Sequence, residues 1–87
     1  MERWSQGPRY PDRPRQAGVD GAVLLAFVVD TTGKPDMRLV RVLGSTDILF
    51  TEAVLSALPR MRFLPAEVDG LKVRRLVEQP FFFTIQR

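Results

Sequence analysis

The chain has 87 residues, enough for one small domain, and its 45% hydrophobic and 26% charged residues are typical of a folded globular protein. It contains no cysteine and no histidine, which excludes disulfides, thiolate nucleophiles and the commonest general base and transition-metal ligand. The net charge of +3 is mild and the eleven arginines are scattered, which favours a solvated surface over a nucleic-acid site.

Residues 1–16 form a basic segment with three prolines and four arginines. We expect an extended arm or the end of a linker there, followed by one domain over 17–87. A short helix can begin after Pro11, because proline suits a first helical turn, although Pro14 limits it. The longest apolar run, 22–29, is far too short to span a bilayer, and we expect neither a membrane anchor nor an export signal in this sequence.

The first strand is predicted over 22–30. Its larger side chains occupy the odd positions, which we assign to the core: Val23, Leu25, Phe27 and Val29. The even positions are apolar as well, which predicts a central strand.

A turn at 30–33, with Gly33 in a positive-φ conformation, is expected to lead into a second strand over 36–43. The apolar residues of this second strand change parity along its length. A one-residue bulge between Arg38 and Val40 would reconcile them, and we assign Val40 and Val42 to the core.

The clearest periodic signal is a helix that follows Asp47. Its apolar residues recur at helical spacing and are assigned to the core rather than to a ligand site: Phe50, Ala53, Val54, Ala57, Leu58 and Met61. Pro59 is expected to end this helix. Phe63, just beyond it, is also assigned to the core.

The last strand is predicted as one long element over 71–86, with Phe81, Phe83 and Ile85 in the core. Pro80 has no backbone N–H, so we expect an edge strand there. The order strand, strand, helix, strand predicts an α+β fold. Its three-stranded antiparallel sheet, in the order 2-1-3, would pack on one main helix, with a short N-terminal helix in front.

An edge strand can bind an extended partner by strand addition, because alternate residues direct their backbone groups away from the sheet. With Pro80 in the outward set, the predicted partner contacts on this strand are Arg74, Leu76, Val77, Glu78, Phe82 and Thr84. The stretch 74–78 is the preferred one. Arg74, Arg75 and the arginines of the arm are further expected to attract acidic segments, an effect that salt weakens. Without a partner, two such edges are expected to pair with each other as a homodimer.

The residues show no catalytic constellation, since the hydroxyl groups lack a histidine base and the carboxylates are dispersed. We expect no enzyme, no cofactor and no metal, although Asp30 and Asp36 flank the hairpin turn and can in principle chelate a cation. A nucleic-acid module that stacks bases on 81–83 is the first alternative. It is disfavoured because consecutive strand residues alternate faces, so nucleic acid is not an expected partner.

Several ordered motifs resemble the C-terminal domain of TonB-family energy transducers: Tyr10-Pro11, Gly-Val-Asp-Gly at 18–21, Arg62-Phe63-Leu64-Pro65-Ala66 and Pro80-Phe81-x-Phe83-x-Ile85. The resemblance covers about residues 9–86. The chain departs from the family in having Met61 where a Trp is common and Pro59 near the helix end. It also has about one extra residue between Gly33 and Ser45.

The resemblance implies a non-catalytic periplasmic domain of a protein anchored in the inner membrane. The family pairs its last strand with the TonB box of outer-membrane receptors, with help from the arm, here Arg9, Tyr10 and Pro11. It couples this contact to an ExbB–ExbD-type complex for active uptake, as of iron siderophores. A TonB-like periplasmic scaffold or sensor domain that binds another protein is the second alternative, which the sequence does not separate from transport.

Overall fold

The computed structural model describes residues 7–86 and contains two helices and five strands in that range. In chain order the elements are α1 (Asp12–Ala17), β1 (Gly21–Val29), β2 (Pro35–Ser45), α2 (Ile48–Ala57), β3 (Ala66–Val68), β4 (Leu71–Val73) and β5 (Arg75–Phe83). The main sheet is antiparallel with the order β2-β1-β5, and α2 packs against it. The predicted α+β fold, its central first strand and its edge-strand order are confirmed.

Helix α1 shows how a proline-containing segment can still be helical. Pro11 precedes the helix and Pro14 lies in its first turn, where its missing N–H would have no intrahelical acceptor. The helix ends at Gly18, whose φ of 70° is left-handed and allows its N–H to bond back to Arg15. The short helix thus crosses the predicted boundary at residue 16. That boundary remains a prediction, and the first part of the predicted arm, 1–6, lies outside the described residues.

Strand β2 is less regular than the sequence predicts. Its register against β1 slips by one residue next to Leu43 and by three residues across the stretch 37–40, whereas one extra residue near Arg38 was predicted. Bulges bend a strand and redirect its side chains. Val42, which lies between the two irregularities, is 45% exposed, so its assignment to the core was wrong. Val40 is half-buried and packs against the margin of the core.

The core lies between α2 and one face of β1 and β5. The helix begins at Asp47, whose carboxylate accepts the N–H of Leu49 at 2.8 Å, and it passes at Pro59 into a 3₁₀ turn, Leu58–Arg60. All of the side chains predicted for the core from β1, the helix and Phe63 are buried, except that of Ala53, which is half-buried at the margin.

The predicted long last strand is in fact two strands. β4 pairs with β3 through a tight hairpin at Asp69 and Gly70, both with positive φ, and the main-sheet strand β5 begins only at Arg75. Phe81 and Phe83 are buried as predicted. Ile85 lies beyond the end of β5 and is only half-buried, so its assignment to the core was wrong.

Candidate functional site

The outer edge of β5 carries the backbone groups that a partner strand would need. The Ala22 carbonyl accepts a hydrogen bond from the Thr46 N–H (3.0 Å), and the Ala22 N–H donates one to the Thr46 Oγ1 (3.1 Å). The backbone groups of Ala22 therefore face the β2 side. The β1–β5 register is unbroken over 21–29, and strand residues alternate. Every second residue of β1, beginning with Val23, therefore faces β5.

This alternation fixes the orientation of β5 as well. The partners of Val23, Leu25 and Phe27 are Phe81, Gln79 and Val77, which must direct their backbone groups inward. The remaining residues direct theirs outward: Leu76, Glu78, Pro80 and Phe82. Among the described residues no strand pairs with this outer side. Val77 was predicted as a partner contact, but its backbone faces β1 and its side chain packs against the core.

Pro80 offers a partner strand neither a free N–H nor a free carbonyl oxygen on the outer edge. Its carbonyl oxygen accepts a hydrogen bond from the side-chain amide of Gln79 at 2.9 Å. The outer edge thus consists of two stretches, one around Leu76 and Glu78 and one beginning at Phe82. Sequence reasoning missed the role of Gln79, because the direction of its side chain is visible only in the structure.

A groove of about 520 Å³ runs between the arm and the second of these stretches. Its walls come from the arm and from the end of β5: Gly7, Pro8, Tyr10, Gln79, Pro80, Phe81, Phe82, Phe83 and Thr84. Of the predicted partner contacts, the groove brings together Tyr10, Phe82 and Thr84. Gly7 and Pro8 were missed, because their sequence does not reveal which strand the arm follows.

Tyr10 fixes the arm in this position. Its ring packs edge-on against Phe83 (5.4 Å between centroids) and Phe50 (5.9 Å), and its hydroxyl donates a hydrogen bond to the Val19 carbonyl. The tyrosine therefore belongs to the wall of the groove and holds it against the core. Its neighbours Arg9 and Pro11 face a second groove of about 560 Å³, between the arm and α2.

Arg74 occupies a different place from the one predicted. It lies between β4 and β5, and its guanidinium is 3.3 Å from Asp36 Oδ2. Asp36 also forms a two-point ion pair with Arg38 at 3.0 and 2.8 Å. Hydrogen bonds from the Arg38 side chain and N–H, and from Arg74, hold the pKa of the Asp36 carboxyl well below its usual range. The guanidinium of Arg74 thus contributes to the fold, while its side chain stays half exposed, and the expectation that it also attracts an acidic partner remains a prediction.

The two turn aspartates do not form a cation site. Asp30 Oδ1 accepts hydrogen bonds from the Thr32 N–H (2.8 Å), the Thr32 hydroxyl (2.6 Å) and the Lys34 N–H (3.0 Å), which lower its pKa and stabilise the hairpin turn. Asp36 is engaged with the two arginines instead. Within residues 7–86, no three or more acidic side chains are grouped so that they could hold a metal ion.

The exposed aromatic surface is too small for a stacking platform. Phe82 is 74% exposed, whereas Phe81 and Phe83 are 4% and 5% exposed and belong to the core. A platform that binds nucleic acid stacks two or three bases on neighbouring rings. One ring remains, which argues against the nucleic-acid alternative.

Comparisons with known proteins agree with this geometry. The family profile for the Gram-negative bacterial TonB protein C-terminal matches residues 6–85. The chain belongs to this family. It is a TonB C-terminal domain, the type of non-catalytic domain found in energy transducers.

Relatives share both sequence and fold with the chain. Protein TonB of Vibrio cholerae is 27% identical over 79 residues, which cover 91% of this chain and 32% of that protein. The chain thus spans about a third of the length of this curated relative. Among solved structures, the TonB C-terminal domain of Pseudomonas aeruginosa is 30% identical with a TM-score of 0.75, over 94% of this chain and 82% of that one. The TonB2 protein of Vibrio anguillarum is also 30% identical, with a TM-score of 0.66, over 97% of this chain and 79% of that one.

The fold of a TonB C-terminal domain explains the departures from the family pattern. Met61 is fully buried at the place where the resemblance leads one to expect a Trp, and Pro59 lies where α2 gives way to a 3₁₀ turn. Both residues fit the fold, and the core remains packed around them.

Among the helices of residues 7–86, none has the length and apolar character needed to cross a membrane.

Proposed function

We propose that this domain binds the TonB box of an outer-membrane receptor as an added strand on the outer edge of β5. The observation that carries the proposal is that edge itself, with the backbone groups of Leu76, Glu78 and Phe82 directed away from the sheet beside the arm groove. Backbone pairing supplies affinity with little demand on sequence, which suits a domain that serves several receptors.

The wider role follows from the family. In the complete protein the domain lies in the periplasm and transmits force from an ExbB–ExbD-type complex to the receptor, so that proton-motive energy drives uptake of nutrients such as iron siderophores. The domain binds the receptor, and the ExbB–ExbD-type complex supplies the energy. A binding role of this kind is consistent with a sequence that contains neither cysteine nor histidine.

The partner segment enters the groove between the arm and the stretch that begins at Phe82. Two walls surround it there, whereas the stretch around Leu76 is bordered by solvent on its outer side. The preference for residues 74–78 that arises from the sequence remains a prediction. The groove gives stronger support to the second stretch, and a longer partner strand would use both.

Two proline variants test this proposal. Leu76→Pro and Phe82→Pro each remove one outward N–H while leaving the inward hydrogen bonds to β1 in place, as Pro80 already does. Each lost hydrogen bond is worth about 0.5–1.5 kcal/mol. We therefore expect about two- to tenfold weaker binding of TonB-box peptides, measured by titration calorimetry.

Leu76→Ala and Phe82→Ala are the matched controls, because they shorten the same exposed side chains but retain the N–H. Circular dichroism and thermal unfolding verify that each variant is folded. The stretch whose proline variant weakens binding more than its alanine control is the one that holds the peptide. If both proline variants fold and bind as tightly as their alanine controls, strand addition at this edge is refuted.

A further inference from the structure

Two arginines, Arg9 and Arg60, line a further depression beside the arm, outside the groove along β5. Among residues 7–86, this depression of about 540 Å³ is lined by Gly7, Pro8, Arg9 and Arg60. Arg9 belongs to the arm, and Arg60 ends the 3₁₀ turn that follows α2. The described lining of the depression thus contains two guanidinium groups and no carboxylate.

The position of Arg60 is set by the fold. One guanidinium nitrogen donates a hydrogen bond to the Ser56 carbonyl at 3.1 Å, at the C-terminal end of α2. A guanidinium has five N–H donors, so this contact fixes the side chain and leaves donors for a ligand. The same bond reduces the entropy that the side chain would lose on binding.

Neither arginine is neutralised within residues 7–86. Two carboxylates, Asp12 and Glu52, lie near them along the groove beside α2, but Asp12 is paired with Arg15 at 3.6 Å, and neither carboxylate is within 4.0 Å of Arg9 or Arg60. The ion pairs of the described part of the chain involve Arg15, Arg38 and Arg74. Within the described residues, Arg9 and Arg60 therefore have no direct ion-pair partner and are available to an acidic ligand.

This depression continues the β5 groove. Gly7 and Pro8 form part of both linings, so the two depressions adjoin each other at the arm. A partner strand that lies along Phe82–Thr84 and continues past Pro8 would therefore approach Arg9 and Arg60. Planar guanidinium groups bind carboxylates with two parallel hydrogen bonds, more specifically than an ammonium group would.

We infer that Arg9 and Arg60 bind an Asp or Glu side chain of the partner, located just outside the stretch that pairs with β5. This inference rests on the proposed function and deepens it, because it gives the domain a side-chain preference that backbone pairing lacks. The acidic residue fixes which end of the partner segment lies at the arm. It also fixes the register of the segment against the strand.

The experiment uses synthetic TonB-box peptides from Gram-negative outer-membrane receptors. Each peptide is prepared with Asp or with Asn at the positions that flank the box, and its dissociation constant is measured for the wild type and for Arg9→Gln and Arg60→Gln. We expect the Asp form to bind more tightly at low salt and each variant to weaken it by about two- to fivefold. The Asn form should be nearly unaffected by either variant, because it has no charge for them to pair with.

Arg41→Gln is the matched control. Arg41 lies on β2, at the opposite edge of the sheet, and its replacement removes the same charge without touching the depression. If Arg9→Gln and Arg60→Gln weaken Asp peptides no more than Arg41→Gln does, or weaken Asp and Asn peptides equally, the inference is wrong while strand addition stands. If no peptide binds the wild type in either form, the proposed function fails and this inference fails with it.

Discussion

Asp36 is the residue whose charge state matters most to the sheet. Its side chain is only 8% exposed, and it joins β2 to the residue that precedes β5 through Arg74, with Arg38 bound to the same carboxylate. We expect Asp36→Asn to lower the free energy of unfolding at neutral pH. Urea unfolding monitored by circular dichroism measures the change, and Glu67→Gln on β3, a residue with no ion pair in the described part of the chain, is the control.

The pH dependence of this difference follows from the pKa shift. The pKa of Asp36 is lowered in the folded protein, so its stabilising contribution is complete well above the unfolded value of about 4 and is lost as the pH falls through the lower, folded pKa. The difference in unfolding free energy between wild type and Asp36→Asn should be constant from neutral pH down to about 5 and should shrink in stronger acid. A difference that instead grew on acidification would contradict the assignment of the ion pair.

Gly21 allows the aromatic cluster behind the groove to form. A Cβ atom at this position would overlap three carbons of the Phe50 ring, which packs against both Tyr10 and Phe83. We expect Gly21→Ala to destabilise the domain by about 1–3 kcal/mol, since a packed ring must move. It should also weaken peptide binding, because the displaced ring supports Tyr10 and hence the arm.

Gly44→Ala is the matched control for this substitution. Gly44 also lies in the main sheet, and nothing is within 4 Å of the position that its Cβ would take. Thermal unfolding of both variants, with peptide titration of each, separates a steric effect from a general effect of alanine in a strand. Equal stability of the two variants would show that the Phe50 ring does not constrain residue 21.

At the scale of the element, Pro80 is the feature that sets how much of β5 a partner can use. Pro80→Ala restores an N–H that points outward, away from β1. We expect peptide affinity to rise by about two- to tenfold, as one more hydrogen bond of about 0.5–1.5 kcal/mol becomes available. The free energy of unfolding should change little in comparison, because no inward hydrogen bond is gained.

The Gln79 side-chain amide limits the affinity that Pro80→Ala can gain. It continues to bond the carbonyl of residue 80, so the double variant Pro80→Ala with Gln79→Met should gain more affinity than the single one. Titration calorimetry of both variants with one peptide measures the difference. Unchanged affinity in both would show that the partner never crosses residue 80, and that it uses one stretch of the edge alone.

The elements that the sequence predicts well are those whose signal is local. The apolar residues from Phe50 to Met61 recur at helical spacing and those of β1 alternate, and each period indicates which face is buried. The edge position of β5 followed from Pro80. Strand β2 was harder, because two bulges destroy its period and expose Val42.

The parts that the sequence predicts poorly depend on distant contacts. The break before β5 coincides with an ion pair between Arg74 and Asp36, which are 38 residues apart. The groove depends on Tyr10 packing against Phe83, and no pattern in the arm reveals that partner. The predicted contacts at Phe82 and Thr84 therefore came from strand parity, whereas Gly7 and Pro8 needed the structure.

For the whole molecule, one face of the sheet is covered and the other is left largely open. The helix buries the side of β1 that carries Leu25 and Phe27, while Leu76 and Phe82 on β5 are 66% and 74% exposed. An edge strand with exposed apolar side chains is a template for pairing with another chain. The edge that we propose as the receptor site could therefore also pair with a second copy of the domain.

We therefore expect the domain to self-associate through β5 when no receptor peptide is present. Two copies related by a twofold axis would pair their outer edges antiparallel, with Leu76 and Phe82 near the contact. Sedimentation equilibrium over a range of concentrations should show a weak dimer that dissociates when a TonB-box peptide is added, because both compete for the same backbone groups. The variant Phe82→Lys places a charge beside the edge and should shift the equilibrium toward monomer. Leu39→Lys, at a site on β2 that is also exposed, is the control. A monomeric mass at the highest attainable concentration would refute pairing through β5, as would a dimer that Leu39→Lys disrupts and Phe82→Lys does not.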